Sequence, residues 1–110
     1  MAATAGLAGT SPAVTAQYAA TLTVSDTSVP AGSPVTVTLA DGPGGPWTWL
    51  ALAPTGSPDS AYVQWTYVGW QVTAKTWTVA LPSAGSYEFR LFLDNGFTRI
   101  ATSPTVTATP

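Results

Sequence analysis

The chain has 110 residues, a net charge of −2, 7% charged residues, no histidine and no cysteine. That length holds one domain. The missing residue types exclude Ser–His and Cys–His nucleophiles, histidine or thiolate metal sites, and disulfides, while the acidic balance argues against nucleic acid and anionic membranes as partners.

The hydrophobic share of 45% is enough for a core. The charged share is far below the ~25% of an ordinary soluble domain. A surface of Thr, Ser, Ala and Gly with so little charge implies that neighbours cover much of it, or that it works in a weakly sticky extracellular setting. No stretch is long enough to span a membrane. Met1–Gly6 offers no basic or sustained apolar segment of a signal peptide. This combination suits a complete small gene product that leaves the cell by lysis, as virion proteins do, or a fragment of a secreted protein.

Residues 1–20 are rich in Ala, Thr and Gly and show no periodic apolar face. They are expected to form an extended N-terminal arm held by a partner chain, with Tyr18 as a candidate contact. Residues 21–110 form the folded domain. Thr21–Ser25 reads as a short strand, and Val29-Pro30-Ala31-Gly32 as a turn. Pro34–Leu39 alternates cleanly, with Val35, Val37 and Leu39 inward. Asp41–Pro46 is a loop. Trp47–Ala53 is the next strand, and the pattern leaves open which of Trp47 and Trp49 is buried: if Leu50 and Leu52 point in, both tryptophans point out. Pro54–Ser60 turns the chain. Ala61–Tyr67 follows, with Val63, Trp65 and Tyr67 on one face and Tyr62 and Gln64 on the other. Gly69 ends it. Lys75–Leu81 carries Trp77, Val79 and Leu81 on its core face.

Leu81–Ala101 is the most legible stretch. Tyr87 to Leu93 places large apolar residues at every odd position, and Glu88 and Arg90 at even ones. Asp94-Asn95-Gly96 follows, where Asn95-Gly96 supplies the positive φ angles of a tight hairpin. Phe97–Ala101 returns. Glu88, Arg90 and Arg99 share one face. They are expected to form a charge ladder at the surface; the alternative is an acid in an arginine clamp, though no nucleophile or base accompanies it. Ahead of this hairpin, Leu81, Gly85 and Tyr87 have the spacing of a tyrosine corner, in which the hydroxyl bonds back to upstream backbone. Ser103-Pro104 kinks the final strand, and Thr105–Thr107 completes it as an edge, where proline is tolerated.

No helix-period segment and no internal repeat occurs. About seven short strands separated by turn signals predict an all-β, immunoglobulin-like Greek-key β-sandwich preceded by the arm. The fold-defining residues are Leu81, Gly85, Tyr87, Asn95 and Gly96. Trp49-Leu50-Ala51-Leu52 with Pro54 and Gly56, then Trp65-Thr66-Tyr67, Tyr87-Glu88-Phe89-Arg90-Leu91-Phe92, Asn95-Gly96 and Ala101–Val106 form a recognisable series. It resembles bacterial and phage immunoglobulin-like modules with a DWIGLY…W.Y…YEFR.F.NN…A.S pattern. The resemblance spans Thr21 to Thr107. Thr48 stands where that pattern often has Asp, and Ala53 where it often has an aromatic. The resemblance implies a sandwich fold, a structural or binding role and no catalytic residues.

Among the acids, only Asp41 and Asp94 are placed to meet, with Asn95, at one end of the sandwich. They read as turn formers or as a weak calcium site. Gly42–Gly45 lacks the Lys-Ser/Thr of a phosphate loop. The five tryptophans are more than a small core can bury with satisfied N–H groups. Some should be exposed, and exposed aromatics mark interfaces. Tyr18, Trp47, Trp65, Tyr67 and Trp70 are therefore the candidate partner contacts. No catalytic, cofactor or metal residue is assigned. The expected function is non-catalytic: a structural module on a bacteriophage virion surface, as a head decoration or tail accessory protein. It would dock on capsid or tail subunits, or on itself, through the arm and an aromatic patch. The alternative is a carbohydrate-binding or adhesion module of a cell surface or phage fibre, stacking its aromatics on glycans.

Overall fold

The structure is a computed structural model that describes residues 18–110. Nine strands run through them: β1 (Thr21–Val24), β2 (Ser28–Pro30), β3 (Pro34–Ala40), β4 (Trp49–Pro54), β5 (Gln64–Tyr67), β6 (Lys75–Ala80), β7 (Gly85–Leu93), β8 (Thr98–Thr102) and β9 (Val106–Thr109). They form a three-stranded sheet in the order β1-β3-β6 and a six-stranded sheet in the order β2-β9-β7-β4-β5, with β8 also on β7. The two sheets pack as an all-β, immunoglobulin-like sandwich. Of the arm assigned to residues 1–20, residues 1–17 lie outside the described residues; Ala20 packs against the core.

The core follows from period-two alternation. Val35, Val37 and Leu39 of β3 face Leu50 and Leu52 of β4 and Tyr87, Phe89 and Leu91 of β7, with Leu81 and Val106 closing the ends. Trp77 lies half-buried against this cluster, its ring 5.9 Å from that of Phe89. The tyrosine corner forms as expected. Gly85 opens β7 at φ +147, a conformation that side chains rarely adopt. Two residues on, the Tyr87 hydroxyl donates to the Ser83 carbonyl and meets the Ser83 hydroxyl, each at 3.0 Å.

Three local readings of the sequence are corrected. The hairpin turn is one residue earlier than the Asn-Gly signal placed it. Asp94 and Asn95, not Gly96, hold positive φ (56° and 58°), and the Gly96 N–H donates to the Leu93 carbonyl at 2.9 Å. That is a type I′ turn, and Asn and Asp tolerate its left-handed positions because their short polar side chains bond locally. The turn before β3 is also displaced, here one residue later. Ser28–Pro30 is a strand, paired in parallel with β9. The chain turns over Pro30–Ser33, where Gly32 takes φ +87 and the Ser33 N–H reaches the Pro30 carbonyl. Consequently the last strand is no edge: β9 lies between β7 and β2. Pro104 is accommodated because the strand is interrupted there. β8 pairs Arg90–Leu93 of β7 and β9 pairs Gly85–Tyr87. Between them the Phe89 N–H is met by the Ser103 hydroxyl at 2.9 Å. The side chain replaces the ladder bond that the break removes.

Burying Phe89 completely is worth roughly 2–3 kcal/mol, whereas the neutral corner hydrogen bond contributes about 1 kcal/mol. The corner therefore fixes the path of the chain more than it stabilises the domain. Tyr87→Phe should cost about 1–1.5 kcal/mol with an unchanged denaturant slope. Phe89→Ala should cost about 3–5 kcal/mol. Urea titration followed by tryptophan emission measures both.

Candidate functional site

The outer face of the six-stranded sheet carries the unusual residues. Cross-strand register assembles it: Trp49 lies opposite Phe92 and Tyr67, Ala51 opposite Arg90 and Trp65, and Ala53 opposite Glu88. Partners in register share a face. The face divides into an ionic half, where Glu88 and Arg90 lie over small alanines, and an aromatic half around Trp49.

The ionic half corrects the expectation of a surface charge ladder. Arg90 is 0% exposed and Glu88 8%. Alternation does turn them away from the inter-sheet core, but the 54–62 loop folds over them. The Arg90 guanidinium donates from Nε to Glu88 Oε2 (2.8 Å), from Nη1 to the Pro58 carbonyl (3.1 Å), and from Nη2 to the carbonyls of Ser57 (2.8 Å) and Pro54 (3.3 Å). Arg99 joins Glu88 Oε2 at 3.2 Å and Asp59 Oδ1 at 3.0 Å. The predicted grouping of Glu88, Arg90 and Arg99 is thus present, with Asp59 as a fourth member. Ala51 and Ala53, the partners of Arg90 and Glu88 in register, are small and fully buried. The Arg90 donors are taken by loop carbonyls and the Glu88 carboxylate, so the cluster acts as a strut holding the loop.

The aromatic half is a cluster built on Trp49. This residue resolves the open choice between two tryptophans: Trp49 is 6% exposed and Trp47 52%. Trp49 nevertheless faces away from the inter-sheet core. Its ring stacks on Phe92 at 4.6 Å and 27°, and meets Tyr62 (5.2 Å), Phe97 (5.7 Å) and Trp65 (6.2 Å) edge-on. Its indole N–H donates to the Gly96 carbonyl at 3.0 Å. Trp65 stands perpendicular to Tyr67 at 5.0 Å, and Trp47 packs on Tyr67 at 5.8 Å. The hairpin tip is tied to this cluster: the Tyr67 hydroxyl donates to Asn95 Oδ1 at 2.7 Å, and the Asn95 N–H to the Trp47 carbonyl at 3.0 Å. Trp49, Tyr62, Trp65, Tyr67, Asn95 and Phe97 line a cleft of about 210 Å³.

Of the candidate contacts, Trp47, Trp65 and Tyr67 come together here. Trp70 does not: it is 70% exposed on the segment after β5, with no ring partner among the described residues. Tyr18 is exposed ahead of β1 in the other sheet, and lines no part of the cleft. Sequence reasoning missed Tyr62 and Phe97, and reads Asn95 as a turn former or a calcium ligand beside Asp41 and Asp94, not as a partner of the rings. Alternation counted from Ala61 puts Tyr62 on the opposite face. The strand begins at Gln64, so alternation does not apply to Tyr62, and the loop carries its ring round to Trp49. Phe97 was legible only as the residue after a hairpin tip. Asp41 and Asp94 both hold left-handed φ, consistent with turn formation, and among the described residues no group of three or more His, Cys, Asp or Glu side chains comes together.

No protein-family model matches the chain, and no curated protein matches it significantly in sequence. Among solved structures, a variant of superoxide reductase (neelaredoxin) from Ignicoccus hospitalis is similar, with a TM-score of 0.50 and 16% identity over 86% of this chain and 82% of that one. At that identity the likeness is one of fold. It supports the immunoglobulin-like sandwich.

Arg90→Ala removes the donor of three buried-side carbonyls and leaves the Glu88 carboxylate with Arg99 alone. It should cost about 3–5 kcal/mol in urea titration. The double variant Glu88→Gln/Arg90→Met should cost less, because it no longer buries a carboxylate stripped of its nearer cation. Both should shift Trp49 emission to the red as the loop releases Tyr62.

Proposed function

We propose that the chain is a non-catalytic interaction module that docks on other protein subunits through its aromatic face. The observation that carries this reading is the concentration of Trp47, Tyr62, Trp65, Tyr67 and Phe97, each at least 37% exposed, on one sheet face. Such a patch is costly in water, and buried aromatics supply most of the energy at protein interfaces. The rings are fixed by the hairpin tip and the arginine strut, so little side-chain entropy is lost on docking. The lining of the cleft carries no charged residue, which matches the depletion of charge at the centre of interfaces.

The finer reading is a structural component of a bacteriophage virion surface, a head decoration or tail accessory protein of the phage immunoglobulin-like type. It is supported by the 7% charge content, by the quoted YEFR-type series and by the uncharged stretch 1–20. That stretch would add backbone hydrogen bonds to a neighbouring subunit. One specific observation favours a second reading, glycan binding. Asn95 presents its amide beside the rings, with its Oδ1 occupied by Tyr67. Rings for stacking and an amide for hydroxyls are what a neutral sugar needs.

Trp47→Ala and Trp65→Ala should each weaken docking by about thirtyfold, the ~2 kcal/mol of an interface hot spot, while leaving the urea midpoint nearly unchanged. Immunogold labelling of purified particles tests the virion assignment; label absent from particles would count against it. Titration with neutral oligosaccharides separates the two readings: quenching of tryptophan emission supports the glycan, and its absence the protein partner.

A further inference from the structure

We infer that β5 is a self-complementary edge, through which two copies of the chain join their six-stranded sheets across a twofold axis. β5 ends its sheet, with β4 on one side and, among the described residues, no strand on the other. The Val68 N–H donates to the Thr48 carbonyl at 2.9 Å. Antiparallel strands alternate the residues that bond a given neighbour, so Gln64 and Thr66 also turn their backbone groups to β4. Trp65 and Tyr67 turn theirs to the open side. Among the described residues, the hydrogen bond seen there is a long one, from the Thr66 hydroxyl to the Tyr67 carbonyl at 3.3 Å.

The two residues with open backbone groups are therefore two whose rings line the cleft. An open edge is usually blocked by charge, proline or brevity. The opposite edge of this sheet is blocked in that way, since β2 carries Pro30. β5 reads Gln-Trp-Thr-Tyr and carries neither charge nor proline. Two such edges meet without like-charge repulsion, each N–H finding a carbonyl.

Parity pairs odd positions with odd, and the Val63 N–H is already given to the Leu52 carbonyl. The register that uses every open group therefore sets Trp65 opposite Tyr67 of the second copy and Thr66 opposite Thr66 of the second copy. That pairing is isologous and closes as a dimer. It places Trp65 and Tyr67 of both copies on one face, so the two clefts become one continuous aromatic floor.

At ~200 Å² per ring, the exposed parts of Trp65 and Tyr67 amount to roughly 180 Å², well below the ~800 Å² per partner of a standard interface, so the dimer should be weak and depend on concentration. The inference rests on the edge backbone, and it stands apart from what else the aromatic face binds.

Thr66 lies on the twofold axis, with its side chain on the face opposite the cleft, and a charge there tests the register. In sedimentation velocity across a concentration series, the wild type should dimerise. Thr66→Lys alone and Thr66→Glu alone should each bind themselves on the order of tenfold more weakly. Their equimolar mixture should recover the dimer. A wild type that stays monomeric at millimolar concentration, variants that self-associate as the wild type does, or a mixture that fails to recover would each overturn the proposal. Amide exchange on the wild type gives a readout free of any folding defect. Trp65 and Tyr67 amides should slow as concentration rises, and rates independent of concentration would sink the idea. Trp47 lies off this edge. A Trp47→Ala variant that dimerises but loses docking separates this proposal from the docking reading.

Discussion

Arg90 lies between the six-stranded sheet and the 54–62 loop, bonded to one carboxylate and three loop carbonyls and closed off from water. A guanidinium in that position costs several kcal/mol unless its donors are met. Meeting them dictates the path of the loop: Pro54, Ser57 and Pro58 must turn their carbonyls inward. Asp59 is then drawn to Arg99, and Tyr62 is delivered onto Trp49. The aromatic cleft depends on this strut, because one of its walls comes from a loop with no strand pairing of its own.

A second constraint acts from the other end of the face. The type I′ hairpin at Asp94-Asn95 places the Gly96 carbonyl over the Trp49 indole and Asn95 beside the Tyr67 hydroxyl. Both bonds satisfy polar groups on aromatics that would otherwise be costly to cover. The cleft is thus held between an ionic strut and a hairpin tip, on a sheet whose other side is the main core. Rings held in this way would lose little side-chain entropy on being covered by a partner.

The two faces of β7 illustrate how binary patterning works and where it stops. Odd positions enter the inter-sheet core, as alternation requires. Even positions face outward, but outward is not exposed. A loop that covers them converts a polar face into a buried network, and no local periodicity reports that cover. The same limit explains Trp49, which alternation turned out of the core and which the loop and the hairpin then buried.

What the sequence by itself determined is whatever depends on near neighbours along the chain. Alternation located the strands and the residues of the main core. Leu81, Gly85 and Tyr87 announced the tyrosine corner. The absence of His and Cys removed whole classes of chemistry, and the surplus of tryptophan announced an aromatic surface. Tertiary structure decided what depends on residues far apart: that Glu88 and Arg90 are buried, that Tyr62 and Phe97 join Trp65 and Tyr67 while Trp70 stays apart, and that β9 is covered by β2. It also moved the hairpin turn one residue, since the register of β7 on β8 fixes which residues bridge the strands. In each case the deciding interaction is a packing or hydrogen-bond partner contributed by a distant segment, and a one-dimensional pattern carries no record of it.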